Sequence, residues 1–337
     1  MRSFEFVPAA AVPTARAAVA AHAAVQNSVY LGGGTTLIDL MKLDIMRPSR
    51  VVDVHKMDIR EIKRLPDGRI RIGAMVTNTE FARHPEILAA FPVLSQALLS
   101  GASTQLRNKA TTAGNIMQRV RCGYFRDGVS PCNKRQPGSG CAAIGGHNRN
   151  VHAVLGGTED CIAAHPSDMC VAVAAIGATV EVLGPSGPRV IDFADFHLLP
   201  GDTPWKEHAL QPNEMITHLT LDAPLGHSRS AYLKLRDRTS YQFALASSAV
   251  ILVTSGGRIT EARIAMGGVG TKPWRAKNAE TALRGARATR EVFEHAAGIA
   301  MEGAKSYGQN GFKIKLGQQA IVRNLSSLTG DVRGLIT

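Results

Sequence analysis

The five cysteines, Cys122, Cys132, Cys141, Cys161 and Cys170, are the side chains with the most chemistry to offer in this chain of 337 residues. The first four fall in a segment rich in Gly, Pro and Arg that has almost no hydrophobic periodicity. Such a segment has little means of packing itself. Nine, eight and nineteen residues separate these four in turn, so the close C-x2–4-C pairs of structural zinc are absent. Iron–sulfur sites accept wide spacing, and a cubane takes four thiolates, which would organise the segment where a core does not. One cysteine is then spare. Cys170 lies in the apolar run Met169–Ile176 and suits a small buried side chain. Unligated thiols are the plainer alternative.

Two loops carry a second kind of chemistry. Gly32-Gly33-Gly34-Thr35-Thr36 follows a strand-like run and precedes a helix. There, bare backbone N–H groups and a helix N-terminus can face a pyrophosphate. It matches neither G-x-G-x-x-G nor the Walker pattern, and by itself it reads equally as a tight turn. About 80 residues on, Thr111-Thr112-Ala113-Gly114-Asn115 offers hydroxyls, an amide and more exposed backbone. The two together could hold one dinucleotide from both ends. His165-Pro166-Ser167-Asp168 opens an apolar helix, where Ser167 is the natural N-cap and Asp168 complements the helix dipole. The same carboxylate can accept hydrogen bonds from a polyol.

The bulk properties bound these readings. An apolar fraction of 45% and a charged fraction of 20% are those of an ordinary globular protein with about two domains. No stretch reaches the roughly 20 apolar residues of a membrane span, and the first residues do not read as a signal peptide. Without such a signal, five cysteines do not suggest a disulfide framework. The formal charge of +12 is uneven: residues 107–149 hold eight Lys/Arg against one acid, Asp127. That concentration suits nucleic acid, a phosphate-bearing cofactor, an acidic partner or an anionic cluster, and equally a solvated face.

The elements that must position these residues follow from pattern and punctuation. Strands are expected at Phe4–Phe6, Ser28–Leu31, Val51–Val54 and Arg69–Gly73. Helices are expected at Pro13–Ala24, from Thr35 or Thr36 through Leu43, at Thr79–Arg83 and at Pro92–Leu99. Regular signals fade from Gly101 to Asp160, and a loop of that length tends to be functional. The helix Ser167–Ile176 and strands Thr179–Leu183 and Thr217–Leu221 come next, with Pro200–Pro212 as loop and residues 224–228 as a linker. A second α+β unit has strands Ala231–Leu235, Ser248–Thr254 and Glu261–Met266, then helices near Arg275–Arg284 and Thr289–Tyr307. The main boundary therefore falls near residue 226.

These residues, with the run Met266-Gly-Gly-Val-Gly-Thr-Lys-Pro-Trp-Arg275, resemble the FAD-binding subunit of xanthine dehydrogenase-type molybdenum hydroxylases across essentially the whole chain. The segments around Cys122, Cys132, Cys141 and Cys161 resemble the FAD/[4Fe–4S] medium subunit of bacterial heterotrimeric aldehyde oxidoreductases. The resemblance implies an α+β chain with the two-lobed FAD-binding fold of the vanillyl-alcohol oxidase type, a C-terminal α+β domain and an iron–sulfur insert. The expected divisions are 1–57 and 58–225 for the FAD lobes, an insert at about 119–163, and 226–337 for the C-terminal domain. It further implies that Leu31, Gly32, Gly33, Gly34, Thr35, Thr36 and Leu37 hold the pyrophosphate. Thr112, Ala113, Gly114 and Asn115 would assist, Asp168 would bind the ribityl chain, and Lys234 would approach the flavin ring. Cys122, Cys132, Cys141 and Cys161 would ligate a [4Fe–4S] cluster.

By the same resemblance, an aldehyde is oxidised to a carboxylic acid at a molybdopterin cofactor in a large partner subunit. Electrons then pass through [2Fe–2S] clusters in a small subunit to this chain and on to an external acceptor. No catalytic residue for substrate oxidation is expected here, and neither nucleic acid nor a membrane span is expected as partner. The expected location is the cytoplasm, or the periplasm by co-export with a small subunit bearing a twin-arginine signal. The alternatives are the related subunit of an aromatic acyl-CoA reductase and, more remotely, a nucleic-acid-binding metal protein. The last lacks stacking motifs, paired zinc ligands and a basic helix.

Overall fold

The computed structural model describes residues 1–330; the last seven residues of the expected C-terminal domain, 331–337, lie outside them. Three sheets organise the chain. The first is parallel, with Arg50–Asp53 between Glu5–Val7 and Ser28–Leu31. Its return connection is the helix Ala15–Ala23, capped where Thr14 Oγ1 accepts from Ala17 N at 3.2 Å. The second sheet is antiparallel, in the order Ile62–Arg64, Ile70–Gly73, Met215–Leu221, Ala178–Gly184, Gly187–Asp192. Alternating burial along Ala178–Gly184 shows one face on the core. The third sheet is antiparallel as well, in the order Trp274–Arg275, Arg258–Gly267, Ala246–Ser255, Arg229–Leu235.

The helix Asp168–Ile176 joins these layers. It is buried along eight of its nine positions and packs on Arg258–Gly267 and Ala246–Ser255 as well as on the helix Pro92–Ser100. A helix apolar on every side belongs in an interior. Beyond the second sheet, residues 222–228 cross to the strand Arg229–Leu235, and the helices Lys277–Leu283, Arg290–Ala300 and Phe312–Thr329 cover the third sheet. Among the described residues no helix is long and apolar enough to cross a membrane.

Most expected elements are present, with most ends moved by one to three residues, and of the several elements that were missed three have a plain physical reason. The strand Gly187–Asp192 contains Pro188, which a sheet tolerates here because the strand lies on the edge. Pro85–Ala90 starts on a proline at its first turn. Phe312–Thr329 is a long helix of modest amphipathicity. The helix expected over Thr289–Tyr307 stops at Ala300, and Gly303 turns the chain with φ of 75°. Thr36 occupies the N-cap position before Leu37–Lys42, but its hydroxyl makes no capping bond.

Candidate functional site

The two phosphate-type loops meet. A Cβ placed on Gly33 would lie 1.8 Å from the carbonyl oxygen of Lys109, and one on Gly32 would lie 3.0 Å from Thr111 Oγ1. Only glycine permits that approach of backbone to backbone. Gly34 adds a turn at φ of 75°. On the other side, Thr111 Oγ1 accepts from Gly114 N at 3.1 Å and opens the short helix Thr112–Ile116.

Both loops line one cavity of about 590 Å³, within the usual range for a cofactor site. Gly32, Gly33, Gly34, Thr35, Thr36 and Leu37 face it, as do Ala113 and Gly114. Thr36, which makes no cap bond, and Thr35 before it are both on the cavity wall. The Thr112 hydroxyl is turned inward and donates to Val76 O at 3.1 Å. Asn115 is held from behind: its Oδ1 accepts from Ser167 Oγ at 2.7 Å and from Gln118 Nε2 at 2.6 Å. Leu31 precedes the loop as the last residue of its strand.

His165 and His197 stand on the wall of the same cavity with their rings 4.5 Å apart, edge to face. His165 Nδ1 accepts from Ser167 N at 3.3 Å, and His197 Nε2 lies 3.1 Å from Ile116 O. The remaining nitrogens, His165 Nε2 and His197 Nδ1, are buried without a partner. Orphaned polar atoms on a cavity wall fit a place that a ligand or an ordered water completes. Burial keeps both rings neutral, lowering the His197 pKa to about 4 and moving that of His165 in the same direction.

Asp168 and Lys234 come together away from the large cavity, beside a much smaller one bounded by Arg121, Phe243 and Gly268. Lys234 Nζ donates to Asp168 Oδ2 at 2.7 Å, and Tyr232 Oη donates to Oδ1 at 2.6 Å. The pair is almost fully buried. Ser167 caps the helix as expected, accepting from Cys170 N at 3.0 Å.

The four cysteines Cys122, Cys132, Cys141 and Cys161 converge on one small pocket, from positions up to 39 residues apart in sequence. Cys132 and Cys141 pair across a two-residue bridge, and all four are free thiols. Among the described residues, the group of potential metal ligands with donor atoms all within 4.8 Å is His165, Cys170 and His197; no three of the four thiols are drawn so close. A single tetrahedral zinc holds its sulfurs within about 4 Å of one another, so the wider ring suits a polynuclear centre better. Burial pushes the thiols of Cys122 and Cys161 up to about 12 and about 11. They stay protonated until a cation supplies the compensating charge. Val120, Lys134, Cys161 and Ala163 line both this pocket and the large cavity.

The basic stretch is mostly turned inward. Lys134 Nζ lies 3.1 Å from Glu207 Oε1, and Arg119 pairs with the same carboxylate. Burial opposes the Glu207 charge, but Arg119 and Lys134 outweigh it and hold its pKa below the usual range. Arg126 reaches Asp39 at 2.7 Å, and Arg135 donates to the carbonyls of Tyr124 and Phe125. These charges brace the insert.

Sequence reasoning missed His152, whose Nε2 lies 3.3 Å from Cys122 Sγ, and Lys313, which is fully buried. It also missed Asn148 and Asn310, which tie the insert to the turn after Gly303: Asn148 Nδ2 donates to Tyr307 O at 2.5 Å and Asn310 Nδ2 to Ala153 O at 2.9 Å. A lone histidine in a loop and a lysine in a mixed helix carry no signal in sequence.

A paired-loop dinucleotide cradle, set on this three-sheet fold with a second α+β domain, defines a flavoprotein of the molybdopterin dehydrogenases. Residues 3–223 match the FAD-binding domain in molybdopterin dehydrogenase, and residues 230–327 match the CO dehydrogenase flavoprotein C-terminal domain. The chain belongs to the FAD-binding medium subunits of the xanthine dehydrogenase family of molybdenum hydroxylases and is an oxidoreductase subunit. It is 46% identical over 311 residues to the aldehyde oxidoreductase FAD-binding subunit PaoB of Escherichia coli, covering 92% of each chain. It is 26% identical to the nicotinate dehydrogenase FAD-subunit of Eubacterium barkeri, covering 87% of this chain and 84% of that one. The fold matches carbon monoxide dehydrogenase from Hydrogenophaga pseudoflava with a TM-score of 0.76 at 24% identity, covering 98% of both chains.

Proposed function

We propose that this chain is the electron-transfer subunit of a molybdenum-dependent aldehyde oxidoreductase. It takes electrons from a small [2Fe–2S] subunit, while the aldehyde is oxidised in a large molybdopterin subunit, and it delivers them to an external acceptor. The supporting observation is convergence: two glycine-bearing loops on one cavity, and four thiols on a pocket that shares Cys161 with it. The 46% likeness to an aldehyde oxidoreductase subunit favours an aldehyde over an aromatic acyl-CoA.

FAD, when bound, accepts electrons singly and releases them in pairs. The chain's own residues provide for it. Backbone from Gly32 to Thr36, facing Ala113 and Gly114, would hold the pyrophosphate. His165 lines both the large cavity and the small one that Asp168 borders, and through that junction Asp168, steadied by Lys234 and Tyr232, would offer its remaining lone pairs to the ribityl hydroxyls. Cys122, Cys132, Cys141 and Cys161 would ligate a [4Fe–4S] cluster, with Lys134 supplying positive charge at the wall shared with the large cavity. Assembly with both partner subunits tests the role. The flavin absorbance should bleach on addition of an aldehyde only in the assembled complex. Turnover by the isolated chain, or a flavin that stays oxidised in an active complex, would contradict it.

A further inference from the structure

Lys313 is fully buried, on the first turn of the helix Phe312–Thr329. Its Nζ donates to two backbone carbonyls, His152 O at 3.0 Å and Gly268 O at 2.7 Å. Among the described residues no carboxylate pairs with it. Burial pulls the Lys313 pKa down to about 7, so the amine sits near its ionisation point around neutral pH, and a negative group close by would keep the proton on it. The ring of the same His152 is buried and approaches Cys122 Sγ through Nε2, and its Nδ1 has no partner. Once Cys122 is a thiolate, an Nε2–H is the arrangement that keeps this contact a hydrogen bond.

Resting on the cluster reading above, we propose that His152 and Lys313 form a buried tuning device for the cluster: His152 donates to the Cys122 sulfur, and Lys313, reaching in from the C-terminal domain, becomes the countercharge when the anionic cluster is in place. Both are positioning residues. A positive charge and an N–H···S bond each favour the more negative, reduced cluster, so together they raise its potential. The same contacts make the docking of the helix Phe312–Thr329 and the occupancy of the cluster pocket depend on each other.

Iron and sulfide in the wild-type chain are counted first; a folded chain that holds none removes the cluster reading and this inference with it. With the cluster present, an EPR-monitored redox titration of Lys313→Met should show about a tenfold fall in the reduction equilibrium, ~59 mV for one electron. High salt should leave that shift in place, because the charge is buried. Thermal midpoints supply a second sign. Lys313→Met should stabilise the iron-free chain, where nothing offsets the cost of burying the amine, and destabilise the iron-loaded one. The same sign in both states, or an unmoved potential at full iron, overturns the role of Lys313. For His152, pulsed EPR of the reduced cluster in chain labelled with ¹⁵N-histidine should show coupling to one imidazole nitrogen, lost in His152→Phe. No coupling in the wild type would remove His152 from the device while the cluster itself stands.

Discussion

Replacing Gly33 with alanine should separate the dinucleotide cradle from an ordinary turn. The added Cβ would lie 1.8 Å from Lys109 O, 2.6 Å from Lys109 C and 3.1 Å from Ala110 Cα. Contacts below 3.0 Å do not persist, so one loop must retreat from the other by about 1.2 Å. Lys109 O is backbone and has no rotamer through which to yield. Overpacking of that kind costs about 1–3 kcal/mol. If it falls on the cradle, FAD binds roughly 5- to 150-fold more weakly. Neighbouring glycines grade the effect. Gly34→Ala meets the end of Ile38 at 2.7 Å and takes a φ of 75°, about 1–2 kcal/mol for a residue with a Cβ. Gly32→Ala meets only the rotatable Thr111 hydroxyl at 3.0 Å and should be mildest. Fluorimetric titration of FAD into deflavinated protein, alongside a thermal melt, measures the series. Wild-type affinity in Gly33→Ala with an unchanged melt would refute the reasoning.

Other substitutions test the remaining parts. Cys141→Ser should lose iron while Cys170→Ser keeps it, since Cys170 lies apart from the other four; equal iron in the two would sink the ligand assignment. Asp168→Ala strands the buried Lys234 ammonium and the Tyr232 hydroxyl, so a loss of about 3–5 kcal/mol is expected by urea unfolding, with weaker flavin retention. The double change Asp168→Leu with Lys234→Met should recover stability but not flavin, and recovery of both would make the pair purely structural. His197 is neutral when folded, with a pKa of about 4 against about 6.5 unfolded, so its contribution is full above pH 6.5. As pH falls from 6.5 towards 4 the unfolded state gains the proton first, and about 3 kcal/mol is lost. Urea unfolding of His197→Phe at pH 7 and pH 5 should show a shallower acid dependence than wild type.

The candidate site was legible wherever residue type alone constrains backbone. Three glycines and two threonines after a strand, or four cysteines in an unpatterned segment, raise a chemical reading without a partner in view, and the structure brings each group to one place. Ser167 was readable for the same reason, as a cap is a local device. Pairings across the chain were not. Nothing near Asp168 announces that Lys234 and Tyr232 will occupy its oxygens, and nothing near Cys122 announces His152 or Lys313. The basic stretch misled in the same way: its surplus is visible in sequence, but its acceptors, Glu207 and Asp39, are distant. In the fold, Pro188 hid an edge strand, and Gly303 ended a helix that the pattern would have continued to Tyr307.

Whether one chain holds both a flavin and a cluster is read from the visible spectrum of the purified protein, with flavin, iron and acid-labile sulfide quantified. One FAD with about four irons and four sulfides per chain is expected. A well-folded chain with FAD but no iron would contradict the role given to Cys122, Cys132, Cys141 and Cys161.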